Sequence, residues 1–243
     1  MFITANNHTS EGLRKYTRNP LVLSVQFKKQ KGKKKGYYTY KNGNGEHVKC
    51  GGLTTYLKKE FYKDFKQPKR RYSSKNKGGC QKKASTRGLG KRVDRELATF
   101  ITTNGDNKRK RKRPLHPLTE QIKRHWDSKG LTPVCSQLPV VIPEIGRVTQ
   151  ADIILQDRNG DLWMHEVKTG CVGVGVVKGT FSAPYDKTPC TKGNQWDLQR
   201  QFTETALIDQ GLPLKGSRVL HAYEHKKKGA IALEREKVFK SYL

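Results

Sequence analysis

Long apolar runs are missing from this chain. No stretch approaches the roughly 18 apolar residues of a membrane-spanning helix, so no membrane partner is expected. The opening Met1-Phe2-Ile3-Thr4-Ala5-Asn6 lacks the basic region and apolar core of a secretion signal. Cysteine is sparse: Cys50, Cys80, Cys135, Cys171 and Cys190 are odd in number and form no C-x-x-C pair. That argues against a disulfide framework and for a reducing, intracellular compartment. His47, Cys50 and Cys80 match no standard zinc spacing. The glycines from Gly170 to Gly179 do not form G-x-G-x-x-G ahead of a helix, which speaks against a dinucleotide site. Acidic residues are the scarcest resource, at 21 Asp+Glu against 50 Lys+Arg, for a net charge of +29 in 243 residues.

The positive charge is unevenly spread. Residues 1–114 hold 32 Lys+Arg and 7 Asp+Glu, whereas residues 115–243 hold 18 and 14. A field of this size calls for an anionic partner, and nucleic acid, most simply DNA, is the default. Aromatics are threaded through the basic half. Lys33, Lys34 and Lys35 precede Tyr37, Tyr38 and Tyr40, three rings suited to stacking on unpaired bases. Arg87, and Lys110, Arg111 and Arg113 within the run Asn107–Pro114, are further candidates for backbone contact. That run also has the composition of a nuclear import signal, which suits a eukaryotic or viral host. Residues 1–85 read as a basic arm or small α+β subdomain. Residues 86–243 read as an α/β core with a basic insertion around 104–117.

The core is organised around Gln150–Lys168. Ile153, Ile154 and Leu155 suit a buried strand, Asn159-Gly160 is a hairpin signal, and Leu162–Lys168 alternates. Alternation sends Leu162, Met164, Glu166 and Lys168 to one face and Trp163, His165 and Val167 to the other. An acid and a lysine on an otherwise apolar face are costly unless paired or bound to a metal. The turn controls whether a second acid joins them. A two-residue loop sets Asp152 opposite Val167. A three-residue loop, Arg158-Asn159-Gly160, sets it opposite Glu166. Asn-Gly fits both, so the register stays open; joint action of the two acids requires the longer loop, or a bend near Asp152.

Ala151-Asp152, a gap, then Glu166-Val167-Lys168 on the next strand resembles the PD-(D/E)XK nuclease superfamily, with Ala151 in place of the proline. The resemblance spans roughly Arg87 to Tyr223. It implies a restriction-endonuclease-like core, a mixed central β-sheet flanked by helices. It also implies metal-dependent phosphodiester hydrolysis with Mg²⁺ or Mn²⁺, the cations suited to hard oxygen ligands. By resemblance Asp152, Glu166 and the Val167 carbonyl hold the metal, and Lys168 orients or deprotonates the attacking water or steadies the phosphate. A third acid is expected on a preceding helix. Arg87-Gly88 followed by Arg95-Glu96-Leu97 is similar to the archaeal Holliday-junction resolvases and favours Glu96. The RecB and lambda-exonuclease branch puts a histidine where Asp94 stands. Glu120, 32 residues before Asp152 against 56 for Glu96, fits the usual spacing better, but the motif decides for Glu96, which by resemblance would bind metal through water or hold a second ion, with Glu120 and Asp94 as alternatives. The RecB branch also carries Gln-x-x-x-Tyr on the helix after the lysine strand; here Gln195 and Gln199 begin such frames without the tyrosine. Both branches include symmetric assemblies, so a homo-oligomer is within expectation. The competing reading is a non-catalytic nucleic-acid-binding or packaging protein on the same scaffold.

Elsewhere the pattern predicts a strand over Leu21–Phe27, a basic-tipped hairpin reaching Tyr40, and helices over Thr54–Phe65, Val93–Ile101, Leu118–Ser128 and Gln195–Ile208. Short strands are expected at Thr132–Cys135 and Leu138–Ile142. Val219–Tyr223 should be the last strand, followed by a C-terminal helix.

Overall fold

Apolar alternation in the second half of the chain produces a sheet, and stripes at helical spacing cover both its faces. The computed structural model describes residues 11–29, 36–62, 86–102, 114–170, 175, 177, 179–225 and 229–239. Lys33, Lys34, Lys35, Lys110, Arg111 and Arg113 lie outside these residues. Helices α1 (Glu11–Thr17) and α2 (Pro20–Leu23) precede strands β1 (Gln26–Lys29), β2 (Gly36–Lys41) and β3 (His47–Gly52). Helices α3 (Leu53–Glu60), α4 (Thr86–Thr102) and α5 (Pro117–Ser128) follow. Then come β4 (Thr132–Ile142), β5 (Arg147–Gln156), β6 (Leu162–Thr169), α6 (Lys192–Asp209), β7 (Leu214–His225) and β8 (Gly229–Glu234).

The architecture is mixed α/β, an eight-stranded sheet between helices. On one face Val93, Leu97 and Ile101 of α4 and Leu118, Ile122 and Trp126 of α5 close a core with Ile153, Leu155, Val167 and Leu220. On the other, Leu13 of α1, Leu53 and Leu57 of α3, and Leu198 and Leu207 of α6 pack with Leu138, Ile154 and Met164. None of the described helices is long and apolar enough to cross a membrane.

Sheet order explains where a site can form. β4 runs antiparallel along the whole of β5 and occupies one of its edges. The other edge is shared. β3 pairs in parallel at Arg147 and Val148, and β6 pairs antiparallel from Ile153 to Gln156. Between them the strands fork, and Asp152 sits at the fork. The basic strands β1–β3 thus continue the same sheet up to a few residues from Asp152.

The hairpin settles the register. Ile153 faces His165 and Leu155 faces Trp163, the alignment of the three-residue loop. Gly160 takes a left-handed φ of 88°, a conformation that favours glycine. Asp157 decides between the two loops. Its Oδ1 accepts from the N–H of Asn159 at 2.9 Å and of Asp161 at 3.0 Å, an Asx-turn that spans the longer loop.

Several expectations fail for local reasons. The strand over Leu21–Phe27 begins instead as a helical turn, because Asn19 caps the Leu21 N–H at 2.9 Å and Pro20 opens the turn. The two short strands before Asp152 are one, β4, interrupted by Gln137 at φ 53°. The C-terminal helix is the edge strand β8, whose Ala230, Ala232 and Glu234 pair with β7. Helix α3 stops at Glu60, short of Phe65.

Candidate active site

Glu166 and Lys168 are two apart on β6 and share the face that looks toward α6. The Lys168 ammonium is ion-paired with Glu166 Oε1 and stands 3.9 Å from Asp152 Oδ2. The two acids therefore converge on one amine. Main-chain pairing of β5 with β6 stops at Ile153. One residue further, Asp152 Oδ2 accepts the Val167 N–H at 3.0 Å, so the carboxylate takes the ladder's place.

Glu166 is fully buried. Its Oε1 also accepts from the Gln199 amide at 2.7 Å, while Oε2 has no hydrogen-bond partner. A buried carboxylate oxygen without a donor is unusual. Desolvation, then the neighbouring Asp152 charge, pushes the Glu166 carboxyl up to about 7 against the pull of Lys168. Burial also raises Asp152, opposed by Lys168, the Val167 N–H and the nearby Gln137 side-chain amide. Burial tends to lower Lys168, but Glu166, Asp152 and Asp94 outweigh it and hold the ammonium charged.

Glu96, the expected third acid, is engaged away from this pair. Its Oε2 accepts the Thr119 hydroxyl at 2.6 Å and the His116 N–H at 2.9 Å, and its Oε1 pairs with Arg92 at 2.7 Å. Glu96 therefore fastens the start of α5 to α4. The α4 acid whose charge reaches Asp152, Glu166 and Lys168 is Asp94, raised to about 6 by burial and by Asp152. The placement has a sequence signal. Gly90 passes so near β6 that a Cβ there would lie 3.2 Å from Thr169 Oγ1, and Asp94, one turn on, shares its face. Glu96 points about 200° away from Asp94 around the helix. Glu120 is exposed on the first turn of α5.

Of the two glutamine frames, Gln199 is at the acids. Gln195 is buried, with its side-chain amide directed to Cys190 Sγ at 3.5 Å and its main-chain carbonyl accepting the Tyr62 hydroxyl at 3.0 Å. Arg87 lies in the first turn of α4. The tyrosines divide by strand alternation. Tyr40 is buried and Tyr38 half-buried against Val48, Cys50, Val141 and Val148. Tyr37 faces the opposite way, with the Lys49 ammonium 4.4 Å over its ring. Tyr40 is thus a core residue and not a base-stacking one. Register places Lys28, Tyr37, Thr39, Lys41, His47 and Lys49 on that second face.

Two features escaped the motif reading. One is Gln137, whose register position is directly opposite Asp152. The other is Arg200, fully buried in α6 and bonded to Asp197 and Glu204 at 2.5 Å and to Ser217 and the Phe239 carbonyl at 2.6 Å. Arg200 locks α6, and with it Gln199, against β7 and the C-terminal segment.

The donor set suits a hard divalent cation. Two carboxylates converge, one of them with a spare buried oxygen, and the Val167 carbonyl belongs to the residue between Glu166 and Lys168. Among the described residues no three His, Cys, Asp or Glu side chains stand ready as a complete ligand group; Lys168 neutralises the pair instead. No family model matches the chain, and no curated protein matches it.

Proposed function

We propose that this protein is a metal-dependent nuclease that hydrolyses phosphodiester bonds in DNA on a restriction-endonuclease-like core. The unpartnered buried oxygen of Glu166, on the carboxylate that shares Lys168 with Asp152, carries the reading. Chain order supports it: an acid at a strand fork, an acid and a lysine on the antiparallel neighbour, then a helix that supplies a glutamine to the same acid. The +29 charge and the basic strands running up to the fork suit a nucleic-acid substrate.

Asp152, Glu166 and the Val167 carbonyl would hold Mg²⁺ or Mn²⁺, with Asp94 contributing at the periphery. When bound, such a cation supplies acidified water and a charge clamp for the transition state. Gln199 keeps Glu166 Oε1 oriented. Lys168, no longer needed to neutralise two acids, would hold the attacking water or a phosphate oxygen. Arg200 fixes the helix that carries Gln199, so the site rests on rigid elements.

The test is cleavage of plasmid and single-stranded DNA with Mg²⁺, comparing wild type with Lys168→Ala, and RNA in parallel. Metal-dependent cleavage by the wild type, reduced at least 100-fold in the variant, is expected. Equal cleavage by both would remove this site from the chemistry. No cleavage by either, with DNA binding retained, would favour a non-catalytic scaffold.

A further inference from the structure

The geometry points to Gln137 as a positioning residue that holds Asp152 in its metal-binding orientation; this rests on the nuclease reading of the site and adds to it a residue from outside the motif.

Three observations converge on it. First, Gln137 is the one non-glycine residue with positive φ, at 53°, among those described. A left-handed residue within a strand is uncommon and costs free energy, and such strain persists where surrounding contacts over-determine it. Second, its register is not arbitrary. Ser136 faces Ile153 and Leu138 faces Ala151, so Gln137 is the residue opposite Asp152. Third, its side-chain amide is near enough to the Asp152 carboxylate to favour the ionised form. That carboxylate also accepts the Val167 N–H from the strand on the other side. It thus has a polar neighbour on each flanking strand.

The left-handed turn has a packing consequence. Cys135 and Leu138 on β4 are three apart, as are their partners Ile154 and Ala151 on β5. All four join one core. On a flat strand, residues three apart face opposite ways. The sheet therefore twists sharply through the Gln137–Asp152 pair, which re-aims Asp152 toward β6 and Lys168. Irregularities of this kind re-direct side chains next to active sites. Serine, alanine or valine at 137 would offer no amide and would fit the left-handed backbone poorly. Glycine would fit the backbone and lose the amide. Asparagine tolerates the backbone and keeps an amide, one methylene shorter.

That difference makes the proposal testable, because backbone relief and lost positioning act in opposite directions. Gln137→Gly and Gln137→Asn are compared with wild type by thermal unfolding without metal, by calorimetric titration with Mn²⁺, and by steady-state cleavage of DNA. For Gln137→Gly the unfolding midpoint is expected to hold or rise by about 2 to 4 °C. Its Mn²⁺ affinity should fall about tenfold or more, and kcat should fall with KM for DNA unchanged. Gln137→Asn should recover part of the affinity and of kcat. A wild type that binds Mn²⁺ and cleaves, with Gln137→Gly indistinguishable in both, overturns this proposal alone. A Gln137→Gly variant with a lowered midpoint and unchanged Mn²⁺ affinity also overturns it, leaving a bond of the fold. A wild type that neither binds Mn²⁺ nor cleaves overturns the nuclease reading and this proposal with it.

Discussion

The side-chain amide of Gln199 donates a 2.7 Å hydrogen bond to Oε1 of Glu166, the same oxygen that meets the Lys168 ammonium. One carboxylate oxygen is therefore fixed by two donors while the other is bare. Gln199→Ala should leave the fold intact, since Gln199 is only half-buried on a helix pinned by Arg200. It should lower cleavage or Mn²⁺ affinity about 10- to 100-fold, the usual effect of removing a group that orients a ligand. Calorimetry and steady-state kinetics on the same preparation check both. Unchanged Mn²⁺ binding and turnover would mean that the contact is incidental.

Asp94 and Glu96 are two residues apart on α4 and should fail in opposite ways. Glu96 accepts two hydrogen bonds that tie the start of α5 to α4, and a third from Arg92 within α4. Glu96→Ala should destabilise the protein by about 1–3 kcal/mol, because buried donors lose their acceptor. Its cleavage per folded molecule should match wild type. Asp94 stands near like charges, and burial and Asp152 both work against its ionised form. Asp94→Asn should therefore hold or raise stability while weakening metal-dependent cleavage. Urea unfolding beside activity normalised to folded protein separates the two. A Glu96 variant that is stable and inactive would reverse the assignment.

How much of this was legible in the residues follows from period. The faces of β6 could be read because strand alternation is a strict period of two, and Leu162, Met164, Glu166 and Lys168 do share a side. The motif favoured Glu96 over Asp94, although each fits one relative of the resemblance. Helical geometry could have made it, through the face that Asp94 shares with Gly90. Gln137 was hidden for another reason: no local pattern announces a left-handed residue inside an apolar run, because long-range pairing with β5 imposes it. Arg200 was hidden in the same way. Asp197 and Glu204 meet it at helical spacing on α6 itself, but Ser217 and the Phe239 carbonyl reach it only in the assembled fold. The C-terminal strand was misread because a short Ala- and Leu-containing run suits a helix until an open sheet edge is there to pair with it.

Two opposite pH dependences should cross in this protein. The Glu166 carboxyl, at about 7 in the fold, lies above its ordinary value of 4.5, so the folded state holds that proton more tightly than the unfolded chain. Its contribution to stability is complete below 4.5 and is lost as pH rises through 7. Asp94, raised to about 6, acts with the same sign. Cation binding needs the ionised acids, so Mn²⁺ affinity should fall about tenfold per pH unit below 7. Added Mn²⁺ should therefore raise the unfolding midpoint strongly at pH 8 and little at pH 5.5. A Mn²⁺ effect on the midpoint that is equal at both pH values would contradict the raised Glu166 carboxyl.

Strands β1–β3 carry positive charge toward the fork. Lys28, Lys41 and Lys49 are exposed and share a face with Tyr37, and the Thr39 hydroxyl between them is buried with no hydrogen-bond partner. Tyr38 and Tyr40 point the other way, into packing. Nucleic acid lying on this face would meet three ammonium groups and one ring. Replacing all three lysines with alanine should flatten the dependence of log affinity on log salt, by about 2 to 3 for a duplex. Tyr37→Ala should weaken single-stranded binding by about 1–3 kcal/mol, the range for a stacked base, without moving the unfolding midpoint. Tyr40→Ala should instead destabilise the fold by about 3–5 kcal/mol, as aromatic truncation in a core does. Filter binding at several salt concentrations, with unfolding curves for each variant, tests the division. A triple lysine variant with an unchanged salt slope would move the substrate to another surface and leave these strands as a cap on the sheet.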